Sequence, residues 1–146
     1  MRHRLYVHIV WTTRHREPLI DGRVARFLVA FLPSVARQER ASILELGMVN
    51  DHVHLLVLFN PTTSLPRLVQ RLKGGSAVLA NREGHARRGH PLHWAKGYNV
   101  ETVSPKSVCR VRDYIQNQPG HHPERAIADI PVASATEVPS RGFSRE

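Results

Sequence analysis

Apolar residues recur with a period of two in four segments and with a helical period in three, in the order β-α-β-β-α-β-α. That order predicts an α+β domain of ferredoxin-like (RRM-like) architecture: an antiparallel sheet with helices on one face, plus a C-terminal, tyrosine-bearing helix. The 146 residues suffice for one domain, and 41% of them are apolar, enough for one core.

Residues 4–13 alternate. Leu5, Val7, Ile9 and Trp11 share one face, and Tyr6, His8, Val10 and Thr12 the other, as in a strand covered on both sides. A basic loop, Arg14-His15-Arg16-Glu17-Pro18, follows. From Arg23 to about Gln38, Val24, Phe27, Leu28, Phe31 and Val35 trace a helical stripe, and Pro33 is expected to kink or shorten that helix. Ser42–Val49 and His52–Phe59 read as two strands joined by an Asn50-Asp51 turn, an antiparallel hairpin.

Ser64 is placed to cap the next helix, with Pro66 in its first turn and Leu65, Leu68, Val69, Leu72 and Leu79 facing inward. A loop rich in Gly, His and Arg spans residues 84–91. Strand character returns over Trp94–Val103, interrupted at Ala95-Lys96-Gly97. Ser104-Pro105 starts a last helix expected to reach Gln118, where Pro119-Gly120 stops it. One domain is expected over residues 1–122. A partly mobile tail, residues 123–146, turns from Pro131 to Ala, Ser, Pro, Thr and Arg.

Composition narrows the function. Lys and Arg number 21 against 12 Asp and Glu, a net charge of +9, which favours a polyanionic partner and nucleic acid above all. No apolar run is long enough to span a membrane, and none at the N-terminus resembles a secretion signal. The single cysteine, Cys109, excludes an internal disulfide framework and a cysteine zinc site, and the chain reads as cytoplasmic. No Gly-x-x-x-x-Gly-Lys-Ser/Thr loop is present, so no nucleotide cofactor is expected.

Two features carry chemistry. His52 and His54 are two apart in a strand, so both imidazoles leave the same face while Val53 and Leu55 enter the core. Such a pair can hold a metal ion or a phosphate, although taken alone it reads more readily as two structural histidines. Tyr114 and Gln118 stand one helical turn apart at the edge of the stripe formed by Val108, Val111 and Ile115. Taken alone, that is an interfacial tyrosine. His85, His90 and His93 are irregularly spaced and read as surface residues. Trp11 and Trp94 read as core.

Together with the basic charge and the element order, these features resemble the single-tyrosine HUH transposases of small bacterial insertion sequences and those associated with repetitive extragenic palindromes. The likeness runs over residues 6–122. Its carriers are His8-Ile9-Val10-Trp11-Thr12-Thr13 with Arg16-Glu17-Pro18, and Asp51-His52-Val53-His54-Leu55-Leu56-Val57. Leu72-Lys73-Gly74-Gly75-Ser76, Trp94-Ala95-Lys96-Gly97-Tyr98 and Tyr114-Ile115-Gln116-Asn117-Gln118 with His121-His122 complete it.

The resemblance implies cleavage and rejoining of single-stranded, hairpin-containing DNA through a 5′-phosphotyrosine. Tyr114 would be the nucleophile, and His52, His54 and Gln118 would hold a divalent metal, Mg²⁺ with Mn²⁺ able to substitute. It also implies a homodimer. Arg14, Arg16, Arg71, Lys73, Arg87 and Arg88 are candidate DNA contacts, each of which, taken alone, reads as a solvated surface charge more readily than as a specific contact. The rival class is a non-catalytic ferredoxin-like nucleic-acid-binding protein, which normally shows stacking aromatics where His52 and His54 stand. A two-histidine phosphoesterase would need two His-x-Ser/Thr motifs in symmetric halves.

Overall fold

The structure is a computed structural model that describes residues 5–127. The segment from Pro131 onward lies outside the described residues. Strand β1 (Leu5–Thr12) leads into α1 (Gly22–Gln38), the hairpin β2 (Ala41–Val49) and β3 (His52–Phe59), and then α2 (Leu65–Arg82). Next come β4 (Asn99–Val103), α3 (Val108–Gln116) and the single turn α4 (Gln118–His121). The sheet order is β2-β3-β1-β4 with every neighbouring pair antiparallel, the ferredoxin-like arrangement expected.

The two faces of the sheet carry different loads. Val7, Ile9 and Trp11 of β1 and Val53, Leu55 and Val57 of β3 join α1 and α2 in the main core, where Leu28, Leu32, Leu68 and Leu72 are fully buried. Trp11 and Trp94 meet edge to face there, 5.8 Å between ring centres, and Trp94 Nε1 donates to the buried Ser76 Oγ at 3.0 Å. The opposite face holds a smaller cluster of Tyr6, Leu44, Leu56, Val108 and Ile115, covered by α3. Among the described residues, no helix is long and apolar enough to cross a membrane.

Two of the elements before α3 depart from the sequence reading. Helix α1 neither ends nor is divided at Pro33, and Pro33 is buried. The missing N–H costs about 3 kcal/mol, which burial of Leu28, Leu32, Val35 and Ala36 on the same helix outweighs. Strand β2 contains a bulge: Ile43 faces Val57 and Glu45 faces Leu56, so Leu44 is the extra residue. The 94–103 strand is interrupted where expected: Trp94 bridges Thr13, Gly97 at φ +82° turns the chain, and Asn99–Val103 then pairs with β1. Ser64 does cap α2, accepting from the Arg67 N–H at 3.3 Å.

Candidate active site

Antiparallel pairing of β1 and β3 sets Thr12 opposite His52, Val10 opposite His54 and His8 opposite Leu56. The period of two then puts His8, His52 and His54 on the face away from α1 and α2. The rings of His52 and His54 lie 5.0 Å apart at nearly perpendicular tilt, and both residues are buried. Burial pushes His54 down to about 3, and the neighbouring His52, His8, His122 and His121 push the same way. His54 is therefore a neutral imidazole at neutral pH, the form in which a histidine can donate a lone pair.

Each of the two rings has a partner at Nδ1. For His52 it is Asp51, whose carboxylate oxygen lies 2.8 Å away. For His54 it is His8, whose Nε2 lies 3.0 Å away. With the Nδ1–H of His52 given to Asp51, its Nε2 lone pair faces Gln118 Oε1 at 3.3 Å. The Gln118 amide is turned that way because its N–H₂ reaches the Tyr114 carbonyl oxygen at 3.4 Å. A proton on His52 Nε2, or a cation shared by that nitrogen and Gln118 Oε1, would satisfy both atoms. Ligand atoms about 2.1 Å from an octahedral Mg²⁺ stand roughly 3 Å apart, close to this spacing. Among the described residues no group of three His, Cys, Asp and Glu could hold a metal ion, and the oxygen nearest the His52 Nε2 is that of the Gln118 amide.

Tyr114 comes to the histidines through the docking of α3 on β2. Gly47, opposite His54, faces the backbone of Ile115, and a Cβ there would clash with the Ile115 carbonyl oxygen. Glycine thus allows the helix to approach to backbone contact, one residue from Tyr114. The bulge at Leu44 turns two successive side chains toward α3. Leu44 packs against Ile115, and Glu45 accepts from Gln116 Nε2 at 3.0 Å and pairs with Arg112 at 3.4 Å. Burial raises the Glu45 carboxyl above the usual range, opposed by Arg112 and Gln116.

The Tyr114 ring stands edge-on to His54, 5.8 Å between centres, and tilts over His121 at 5.0 Å. The contact lies within one chain. Helix α3 ends at Gln116 instead of running to Gln118. Pro119 has no N–H for the Ile115 carbonyl and disfavours helical backbone at Gln118, so a new turn begins there. Gln118 is consequently fully buried below an exposed Tyr114, where a continuous helix would place both along one edge.

These residues floor an open cleft of about 390 Å³ whose walls include Arg16, Lys96, Tyr98, His122 and Arg125. Arg16 reaches it from a loop in which both His15 and Arg16 have positive φ, 54° each. Arg125, in the segment expected to begin the tail, lies 3.7 Å from Asp51, and its carbonyl accepts from the Asn50 N–H at 2.9 Å. The other expected cations lie elsewhere. Lys73 donates to the carbonyls of Ala95 and Gly97 at 2.8 and 2.7 Å and holds the loop that borders the cleft. Arg71 bonds Glu39 and Gln38, both at 2.7 Å, while Arg14, Arg87 and Arg88 are exposed outside the cleft.

His8, Asp51, Lys96, His122 and Arg125 were not singled out from the sequence. Alternation does put His8 on the site face, but only the strand register sets it beside His54.

The family model of IS200-like transposases matches residues 1–118. The chain is 29% identical over 119 residues to the ISDra2 transposase TnpA of Deinococcus radiodurans, a match that covers 80% of this chain and 85% of that one. It is 28% identical over 114 residues to the transposase for insertion sequence element IS200 of Salmonella typhimurium, covering 76% and 74%. Its fold superposes on the crystal structure of a Deinococcus radiodurans R1 chain assigned as a transposase, with a TM-score of 0.62 and 30% identity over 81% and 93% of the two chains. It also matches a REP-associated tyrosine transposase solved with a REP hairpin, with a TM-score of 0.61 over 84% and 70% of the chains. At 13% identity that second likeness concerns the fold alone.

Two outcomes follow from the α3 dock. Gly47→Ala is expected to destabilise the fold by about 1–3 kcal/mol and to move Tyr114 away from His54. Urea unfolding reads the first effect and NMR contacts between the two rings the second. Unchanged stability with the ring contacts kept would refute the close-approach argument.

Glu45, with its raised carboxyl, holds a proton more readily folded than unfolded. Its stability contribution is therefore present at low pH and is lost as pH climbs from the ordinary 4.5 through the raised folded value. Relative to Glu45→Gln, the wild type should gain stability as pH falls through that window. Thermal melting of both proteins across a pH series checks it, and a constant difference would contradict it.

Proposed function

Because the chain belongs to the IS200-like transposase family, we propose that it cuts and rejoins single-stranded, hairpin-containing DNA through a covalent 5′-phosphotyrosine on Tyr114. The observation that carries this reading is the in-chain meeting of Tyr114 with a buried, neutral His54 on the floor of a cationic cleft. The Tyr114 oxygen attacks the scissile phosphorus, the P–O3′ bond breaks, and the leaving oxygen takes up a proton to become a free 3′-hydroxyl. The phosphoester on tyrosine keeps the bond energy, so a second 3′-hydroxyl can displace it and no nucleotide cofactor is required.

His52 Nε2, His54 Nε2 and Gln118 Oε1 would hold a divalent metal, Mg²⁺ in the cell with Mn²⁺ as a substitute well suited to two imidazoles. Such an ion, when bound, polarises the phosphate and stabilises charge on the leaving oxygen. The chain's own groups do the rest. Arg16, Lys96 and Arg125 offer positive charge to the phosphates that flank the scissile bond. The 44% exposure of Tyr114 leaves its hydroxyl open to a strand laid in the cleft.

We also read the active form as a homodimer working in the cytoplasm. Strand β4 is an edge of the sheet, and nearly all of its residues are exposed. Edges of that kind are commonly paired or covered.

Tyr114→Phe should abolish cleavage and the covalent protein–DNA band while hairpin binding survives and stability changes by no more than about 1 kcal/mol. EDTA should stop the wild-type reaction, Mn²⁺ should restore it, and duplex DNA should stay intact. A denaturing gel with labelled hairpin oligonucleotides reads all of these. A covalent band from the Phe variant would assign the nucleophile elsewhere, and equal cleavage in EDTA would remove the metal from the reaction. Light scattering at micromolar concentration should give the mass of a dimer; a fully active monomer would refute that part.

A further inference from the structure

The two histidines of the proposed metal site are held at the same atom, Nδ1, by two different devices. Asp51 serves His52 from the adjacent position in the chain. His8 serves His54 from 46 residues away, brought in by the pairing of β1 with β3. It stands opposite Leu56 and therefore diagonal to His54 on the shared face, within reach of a long side chain.

The contact between the two rings is a hydrogen bond in the ring plane and not a face-to-face stack. Their planes differ by 27° and their centres are 5.2 Å apart. A ring nitrogen lies about 1.1 Å from its ring centre, so a 3.0 Å bond along the lone-pair direction puts the centres roughly 5.2 Å apart. A parallel stack at that separation would not bring Nε2 and Nδ1 together so closely.

We propose that His8 is a positioning residue that holds His54 in the Nδ1–H tautomer and so leaves the His54 Nε2 lone pair directed at the metal, as Asp51 does for His52. The inference rests on the metal site proposed above. A neutral imidazole has one N–H and one lone pair, and the two nitrogens exchange these roles between tautomers. With Nε2 protonated, His54 would turn an N–H toward the cation and could not bind it. An acceptor at Nδ1 removes that option. To accept there, His8 must carry its own proton on Nδ1. Glu101, its cross-strand partner on β4, brings a negative charge that favours a donating edge on the His8 ring.

His8→Phe keeps a planar ring and removes the acceptor, whereas His8→Gln keeps an acceptor without the ring. Long-range ¹H–¹⁵N NMR of the metal-free full chain reads the His54 tautomer directly. It should be Nδ1–H in the wild type, remain largely so in His8→Gln, and shift toward Nε2–H in His8→Phe. Calorimetric titration with Mn²⁺ should show affinity about 10–100-fold weaker in His8→Phe, with most of it recovered in His8→Gln.

An Nε2–H tautomer in the wild type, read without any variant, overturns the proposal. So does an unchanged tautomer in a folded His8→Phe. If the tautomer shifts as expected but no variant, nor the wild type, binds Mn²⁺, the metal reading fails and the positioning of His54 by His8 stands.

Discussion

The register between β1 and β3 is the constraint on which this molecule depends. Setting Val10 opposite His54 fixes, through the two-residue period, which side chains of both central strands enter the main core and which reach the site. A slip of one residue would bury His52 and His54 under α1 and α2 and turn Val53 and Leu55 to the cleft. The apolar content of the alternate positions, from Val7, Ile9 and Trp11 to Val53, Leu55 and Val57, makes that slip prohibitively unfavourable. Packing of the core thereby places both imidazoles on the face of the site.

The second face of the sheet is a compromise between burial and chemistry. Its inner half is apolar, with Tyr6, Leu44 and Leu56 under Val108 and Ile115. Its outer half is a group of histidines, two of which, His8 and His54, burial holds below the usual imidazole range, His54 the more strongly. Buried polar rings are costly unless partnered, and the partners found here are Asp51 and Gln118 for His52 and His8 for His54. Helix α3 straddles the two halves. Ile115 faces the apolar part and Tyr114 the histidines, and Gly47 and Glu45 of β2 fix its height and its azimuth.

Positive charge is divided between architecture and surface. Arg71 and Lys73 lie two residues apart within one turn of α2, on different sides of it, and each is committed to a different structural contact. Arg71 ties α2 to the end of α1 through Glu39. Lys73 gathers the carbonyls of Ala95 and Gly97 and so shapes the wall from which Lys96 and Tyr98 reach the cleft. Arg16 is the one expected cation that lines the cleft itself, held there by a loop with two successive residues at positive φ.

The sequence alone determined the element order, the faces of β1 and β3, the inward stripe of α2 and the placing of His52 and His54 on a common face. Each of these follows from a local period, and a period is read from neighbours in the chain. What depends on distant neighbours was decided by the tertiary structure. The bulge at Leu44 is visible only in the pairing of β2 with β3, and the close approach of Ile115 to Gly47 only in the docking of α3 on the sheet. The continuity of α1 through Pro33 is decided by burial, which outweighs one lost hydrogen bond. The meeting of His8 with His54 spans 46 residues, and Arg125 joins Asp51 from beyond the last full helix. No local pattern encodes such pairs, because the distance between their side chains is set by strand register and helix docking, which only the packed chain possesses.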